Sequence, residues 1–583
     1  MTRTSQGTEV GDLPVPRSGE AEVPPTASEL PRVLTNLRHG DHVAGDDVSS
    51  VDPTSRAEDS IEWARVKRTS TPFRYMFDDL QDIYPEAHLP IEPAAAVVAS
   101  LKALGTAMVE QPGDAATADS TIPPILTYWG QFVDHDLTAN TDRNDDVSIT
   151  DLPLEPLQPE KVERDLRNLR EPRLNLDSVY GNGPQFSGQP DQVPYDGDRL
   201  RIGRTTAAHP PGNVAIKADD AHDLYRVAQK AQIGDGRNDE NLVIAQLHLS
   251  FLKFHNAVLD WFAANPDHKV TGDGSFARAR QLVEWHYQWI TVHDFLERIA
   301  DSTVVDDVLN SDEHLFKVDK DTPTDEVFMP LEFSIAAYRF GHSMVRGAYD
   351  WNENFGFPGD RSPSSSFALL FRFTGNGGFF GNPTLPDNWP AQFERLTGSA
   401  ATPPGAVEPT PPRFARKIDT HLAPPLADLS NEGSTETADR IKRILRRLAV
   451  RNLLRGYRLA IPTGQAVARS LGIPPLTRAQ LLSAQDGQAP SPVDDALVDG
   501  AFLESTPLWF YVLREAEVIG DGERLGPVGS RIVAETIIGQ LRADPTSFLN
   551  QGWNPTLGVS TGPGSDDVVD SIITFLRFAG MHP

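Results

Sequence analysis

The sequence predicts a mostly α fold with little β: one large domain over residues 71–583, preceded by an acidic N-terminal arm over residues 1–70. Three observations predict it. Apolar residues recur at helical spacing through several long stretches, and the alternation of half-buried strands is scarce. Hydrophobic residues fill 39% of the 583 positions, enough for a sizeable core. The arm is rich in Pro, Ser, Thr, Glu and Asp without any period, so it is expected to be disordered or draped over the domain. No internal repeat is present.

Order is expected to begin near Phe73-Arg74-Tyr75-Met76-Phe77. The apolar run over residues 122–137 reads as a buried helix, and a turn-rich connection carrying Leu174-Asn175-Leu176-Asp177-Ser178-Val179-Tyr180-Gly181 follows it. Residues 240–262 form a long helix candidate, with Leu247, Phe251, Phe254, Val258 and Phe262 along it. Further helices are expected over 280–299 and over 333–345, the latter dense in apolar and aromatic side chains. Residues 362–412 hold so much Gly, Pro and Ser that a loop with short turns is expected. A basic helix over 437–460 should close at Pro462 and Gly464, and two more helices are expected over 531–541 and 567–578.

The formal net charge of −29 argues against nucleic acid, whose phosphates such a surface repels. No uninterrupted apolar run reaches the roughly 18 residues of a membrane span. Residues 1–24 lack the charged-then-apolar layout of a signal peptide, so the compartment stays open, with the cytoplasm as the default expectation and secretion by a non-standard route as the alternative. With 0 cysteines, any transition metal must be held by His, carboxylate or carbonyl groups.

The chemistry concentrates at Gln131-Phe132-Val133-Asp134-His135-Asp136. Gln131, Asp134 and His135 stand at i, i+3 and i+4 and share one helix face, whereas Asp136 points elsewhere. An amide, a carboxylate and an imidazole in a dry place usually hold something. His342 lies in Tyr338-Arg339-Phe340-Gly341-His342-Ser343; Gly341 lets a flat object approach, and Arg339 shares its face. Taken alone, that stretch reads as a buried His with a nearby salt bridge. Arg237 and Glu240 form a third group in Gly234-Asp235-Gly236-Arg237-Asn238-Asp239-Glu240-Asn241, where a capped helix start is the plain alternative. The pairs His248/His255 and His286/His293 have no convergent acids at ligand spacing and are assigned structural roles.

These segments, in this order, resemble the peroxidase–cyclooxygenase superfamily, the animal-type haem peroxidases, in a bacterial form. The resemblance runs from about Phe73 to the C-terminus. It is carried by Trp129-Gly130-Gln131-Phe132-Val133-Asp134-His135-Asp136, Leu176-Asp177-Ser178-Val179-Tyr180-Gly181, Gly234-Asp235-Gly236-Arg237 with Glu240, and Tyr338-Arg339-Phe340-Gly341-His342. Arg451-Asn452-Leu453-Leu454-Arg455-Gly456 and Trp509-Phe510-Tyr511-Val512-Leu513-Arg514-Glu515-Ala516-Glu517 complete it. It implies haem between a distal and a proximal helix. His135 looks like the distal catalytic histidine, Gln131 like the distal amide and Arg237 like the distal arginine. His342 looks like the ligand of haem iron, with Asn452 accepting its other ring proton. Asp134 and Glu240 match carboxylates that become ester-linked to haem methyl groups, and Arg339 and Arg455 would sit near the propionates. Asn241 stands where some members carry a methionine that forms a sulfonium bond, so two ester bonds at most are implied.

Through the resemblance the function is a haem peroxidase. It would reduce hydrogen peroxide and oxidise halide, thiocyanate or small phenolic donors through a ferryl haem. A neutral imidazole over iron moves a proton between the peroxide oxygens, and a fixed guanidinium stabilises the charge that develops. An amide partner pushes less charge onto the iron than a carboxylate would, which favours donors as hard to oxidise as bromide. A calcium site is a further expectation. Glu171, Arg173, Asn175 and Asp177 alternate, and an extended loop would set them on one side beside Asp136 as oxygen ligands; a solvated acidic turn is the alternative. The competing functions are a fatty-acid dioxygenase of the same superfamily, which generates a tyrosyl radical three residues before the proximal histidine, where this chain has Arg339, and a non-catalytic haem- or calcium-binding structural protein. No pair of Glu-x-x-His motifs supports a carboxylate-bridged di-iron site.

Overall fold

The computed structural model describes residues 70–583, apart from 83–85, 112–117, 140–148, 150–153, 190–191, 266–273, 325, 357–364, 399–413, 430–437, 484–489 and 561–566. The expected N-terminal arm therefore lies outside the described residues, except for Ser70. The fold is mostly helical, as predicted. The first described element is the strand β1 (Thr71–Arg74), which pairs antiparallel with β2 (Arg167–Asn168) and parallel with β3 (Met329–Pro330). The other ladders are pairs of two-residue strands.

Helix α1 (Pro124–Leu137) starts on a proline, which suits a first turn because its missing N–H has no intrahelical partner anyway. Thr138 ends it in an extended conformation and turns its hydroxyl back onto the Asp134 carboxylate at 3.0 Å. Helix α2 (Leu242–Ala264) is capped by the Asn241 side chain, which accepts from the Ile244 amide. The two helices meet through aromatic rings: Phe132 stacks on Phe251 with centroids 4.4 Å apart, and Trp129 packs on Phe251 at 5.7 Å. Truncating so buried a ring as Phe132 typically costs about 3–5 kcal/mol. Helix α2 is long and apolar enough to cross a membrane by length and composition, but 83% of its most apolar window is buried inside this domain.

Helix α3 (Gly274–Ile290) runs on through a wider π-helical stretch, Thr291–Leu296, to Glu297–Ile299, so the element expected over 280–299 is present and longer. The helix expected over 333–345 is absent in α form. Its place is taken by a π turn, Glu332–Ala336, and a 3-10 stretch, Ala337–His342, with a break at Ala336 (φ −125°, ψ −75°). The Ser334 carbonyl, which an α-helix would give to the amide four residues on, instead accepts from Arg339 Nε at 3.0 Å. The basic helix is also divided: Asp439–Arg446 and α4 (Leu448–Arg458) flank Arg447 at φ −98°, ψ 98°. There Leu429 folds back, donating its amide to the Arg446 carbonyl at 3.0 Å. Helix α5 (Leu508–Gly520) packs behind the 3-10 stretch, and Trp509 Nε1 donates to the Arg339 carbonyl at 3.1 Å. Helix α6 (Pro527–Ala543) extends the expected 531–541 at both ends, and α7 (Ile572–Phe578) begins later than expected, at the Ser571 capping box.

Candidate active site

Helix α1 presents Gln131 and Asp134 to a cavity and holds His135, fully shut off from solvent, on the same face. His135 Nδ1 meets Asn238 Oδ1 at 2.7 Å. Its carbonyl accepts from Arg237 Nη2 at 2.8 Å. Arg237 is itself gripped by Asp235, through the backbone amide at 2.9 Å and through Nη2 at 2.7 Å. Burial, and then the neighbouring Arg237 charge, push the His135 imidazole down to about 3, so it is neutral at physiological pH. Burial raises Asp134, while Arg237 and Arg339 pull the other way. Gln131 donates its amide to Glu240 Oε1, and Asn241 Nδ2 approaches Glu240 Oε1 and Gln131 Oε1 at 3.4 Å each. Gln131, Asp134, His135, Arg237 and Glu240 thus come together from segments some hundred positions apart.

The same cavity is also lined by Arg339, Gly341 and His342, from the 3-10 stretch, and by Arg451 from α4. A Cβ built on Gly341 would meet nothing within 4 Å, because the space in front of it is the cavity. Asn452 Nδ2 lies 2.9 Å from His342 Nδ1, and Asn452 Oδ1 accepts from Arg339 Nη1 at 3.4 Å. The predicted partnership is present with the opposite sense of donation. Here Arg339 occupies the amide oxygen, whereas the expected sense needs a half-turn of the amide, which costs no space because its two ends are the same size. Burial, then Arg339 and Arg451, hold His342 well below its ordinary value. Arg455 is buried one turn beyond Arg451 and is not part of the lining. It still acts on the site: burial and Arg455 hold Arg339 down to about 9, and burial and Arg451 hold Arg455 down to about 9.

About 1090 Å³ of empty space lies between the lining atoms, open solvent at the mouth included. Its remaining wall is apolar, with Leu126, Leu370, Phe371, Leu426 and Leu448 among its members. Tyr338 also lines it and donates its hydroxyl to the Gly130 carbonyl at 3.2 Å, tying the 3-10 stretch to α1. One side, residues 367–376, is pinned to the carboxylate segment: the Gly375 amide donates to the Asp239 carbonyl at 2.8 Å and the Thr374 hydroxyl to the Glu240 carbonyl at 2.9 Å. His135 and Arg237 do not line the cavity themselves; they belong to the wall through Asp134 and Glu240.

The residues expected to hold calcium are not gathered into a ligand set. Among the described residues no group of three or more His, Cys, Asp or Glu side chains could hold a metal ion. The extended alternation fails because Leu174 (φ 53°) and Leu176 (φ 56°) are left-handed, which swings successive side chains apart. Glu171 accepts from Asn175 Nδ2 at 3.3 Å, Arg173 reaches Thr324 at 3.4 Å, and Asp177 turns inward to Arg170 Nη1 at 2.8 Å. Asp136 accepts from the Leu176 amide at 3.2 Å and the Ser178 hydroxyl at 3.1 Å, and burial lifts it to about 6.

Sequence reasoning missed Arg170, Asp235, Asn238 and Arg451, all buried and all attached to the predicted residues. Three of them lie inside or beside the quoted motifs, so the signal was position, not type. His248, assigned a structural role, meets Asn238 Nδ2 at 3.1 Å and so stands behind His135. His255 and His286 bond the backbone carbonyls of Asp198 at 2.9 Å and Val569 at 2.7 Å, and His293 pairs with Glu297, as structural residues do.

Comparison with known proteins adds the following. The family model for animal haem peroxidase matches residues 160–368. A peroxidase-like protein of Margaritifera margaritifera is 26% identical over 258 residues, 39% of this chain and 32% of that relative. A thyroid peroxidase of Canis lupus familiaris is 23% identical over 290 residues, 41% of this chain and 30% of that one. The match thus spans about a third of the length of these curated relatives. Among solved structures, peroxidase A of Dictyostelium discoideum is similar in fold, with a TM-score of 0.52 at 15% identity over 88% of this chain and 94% of that one. A fatty acid alpha-dioxygenase of Arabidopsis thaliana gives a TM-score of 0.51 at 15% identity over 82% of this chain and 72% of the other.

Proposed function

The chain belongs to the peroxidase–cyclooxygenase superfamily, and from that premise we propose that it is a haem-dependent peroxidase that reduces hydrogen peroxide and oxidises halide, thiocyanate or small phenolic donors. The observation that carries this reading is the neutral His135, shut off from solvent and flanked by Arg237, on the helix that lines the same cavity as His342. Haem is the group the family holds, and the cavity suits it. His342 has Nδ1 engaged by Asn452, so Nε2 is the nitrogen a metal would take. Arg339 and Arg451, with Arg455 behind, supply the positive charge that a pair of propionates requires. Asp134 and Glu240 face the cavity as the two carboxylates able to form esters. Bound there, haem would supply the redox centre for the exchange of oxidising equivalents between peroxide and donor.

The chain's own groups then have separate duties. His135, neutral at its ring and next to the lining residue Asp134, would accept the proton of one peroxide oxygen and return it to the other. Arg237, fixed by Asp235, offsets negative charge on the departing oxygen and keeps His135 unprotonated. Gln131, anchored on Glu240, orients what enters between the walls. Turnover with peroxide should bond haem to Asp134 and Glu240, and complete extraction of haem into acidified organic solvent after turnover would remove the ester assignment. Calcium has no ligand set among the described residues and plays no part in this reading.

A fatty-acid dioxygenase is the second reading. Tyr338 lines the cavity, but it stands four residues before His342, one position from the place where a dioxygenase carries its radical tyrosine and this chain has Arg339. One experiment separates the two: reconstitution with haem, stopped-flow spectra with peroxide and then with each halide, and oxygen uptake with linoleate in the absence of peroxide. Band shifts with peroxide, reversed by a halide or a phenol, are expected. Oxygen consumption with linoleate and no reversible shift would overturn the peroxidase reading.

A further inference from the structure

Arg170 is fully buried, and three carboxylates surround it. Nη1 donates to Asp177 Oδ1 at 2.8 Å, Nη2 donates to Asp235 Oδ2, and Asp136 lies close enough to interact with its charge. The three acids come from three separate segments: the end of α1, the turn at residue 177 and the loop before α2. The backbone brings two of these segments into contact. A Cβ on Gly234 would stand 2.4 Å from the Ser178 carbonyl oxygen, so only glycine lets the loop carrying Asp235 reach the turn carrying Asp177. A guanidinium among three buried carboxylates does what a divalent metal does in such a place: it compensates charge and fixes direction. It also continues into the candidate active site, since Asp235 shares its oxygens between Arg170 and Arg237, and Arg237 holds the His135 carbonyl.

We propose that Arg170 is a built-in cation that takes the place of a metal ion between Asp136, Asp177 and Asp235, and that through Asp235 it positions Arg237 beside His135. The calcium that resemblance leads one to expect is thereby made unnecessary: two of the acids expected to bind it, Asp136 and Asp177, are engaged by a side chain of the same chain. Arg170 is a positioning residue, since it reaches the reacting groups only through Asp235 and Arg237. This last clause rests on the peroxidase reading, whereas the replacement of a metal does not.

The test uses the full chain, haem-loaded, with thermal melts in chelator (EGTA) and in millimolar calcium chloride. For the unaltered protein the two midpoints should coincide. Arg170→Ala should lower the midpoint by several degrees in EGTA, because it leaves buried carboxylates uncompensated. Calcium should restore much of that loss, because the acids then surround a space a hard oxygen-seeking cation can enter. Arg170→Lys should recover part of the stability without calcium. The peroxide rate per haem should fall at least tenfold in Arg170→Ala and recover partly in Arg170→Lys. An EGTA-induced fall in the midpoint of the unaltered protein would overturn the proposal, as would an Arg170→Ala chain indifferent to calcium. If Arg170→Ala yields only aggregate, the chelator comparison on the unaltered protein and the Arg170→Lys melt decide. An unaltered protein inert to peroxide sinks the peroxidase reading and leaves the melts to judge Arg170.

Discussion

His135 owes its neutrality first to burial and only second to Arg237, and the order has a measurable consequence. With the imidazole at about 3, the rate of reaction with peroxide should stay level across pH 5–8 and fall only as the medium approaches pH 3–4, far below an ordinary histidine. Arg237→Gln removes the second cause and leaves the first, so the acid limb should move upward by less than the full shift. A limb already at pH 6.5 in the unaltered protein would rule this account out. His135→Ala should slow the same reaction by about 100- to 10,000-fold, measured per haem by stopped flow. Asn452→Asp exchanges an amide for a carboxylate beside His342 Nδ1 and should lower the haem reduction potential; a spectroelectrochemical titration without a shift would remove that role. At this scale Gln131, Asp134 and His342 were readable because helical spacing and motif order mark them. Arg170, Asp235 and Asn238 were not, because their meaning lies in contacts across roughly 65 to 103 positions, which leave no period in the chain.

Among the elements, the segment around His342 departs furthest from expectation. Apolar periodicity over 333–345 suggests a regular helix, but a π turn and a 3-10 stretch stand there, with the Arg339 side chain closing the gap at Ser334. Periodicity reports which face is buried and is nearly blind to whether a turn is wide or tight. Glu332, at the head of that π turn, receives the Met76 amide at 2.8 Å and the Phe77 amide at 3.3 Å, joining it to the start of the domain. Burial raises Glu332 to about 7, above its unfolded value near 4.5. A raised carboxylate binds its proton more tightly when folded, so its contribution is complete below pH 4.5 and is lost as pH rises through 7. The loss amounts to about 3 kcal/mol at most. Glu332→Gln should therefore flatten the decline in melting temperature between pH 5 and 8. Gly234→Ala should destabilise by about 1–3 kcal/mol, because its new Cβ meets backbone on both Asp177 and Ser178 and neither can yield as a side chain would.

At the scale of the whole molecule, a chain with a formal net charge of −29 encloses a cavity bordered by Arg339 and Arg451 and backed by Arg455. Cations pressed together in a dry site favour whatever supplies anions to them. Removing haem should accordingly lower the melting midpoint, because it removes a stabilisation that grows with ligand excess and reaches about 4 kcal/mol near a thousandfold excess over Kd. Differential scanning calorimetry of loaded and stripped protein reads this directly, and equal midpoints would count against the cavity as the haem site. Fold class was legible because helices announce themselves by spacing; the resemblance implied that Arg339 and Arg455 converge, but Arg451 as the lining cation was not legible, since it meets Arg339 only once α4 is packed against the 3-10 stretch. The anchoring of residues 367–376 to the backbone of Asp239 and Glu240 has a consequence for how such a protein diversifies. On the peroxidase reading proposed above, exchanging Phe367, Leu370 and Phe371 should admit bulkier or greasier reductants while Thr374 and Gly375 keep the gatepost upright, so taste in substrates would drift without disturbing the machinery that the pigment needs.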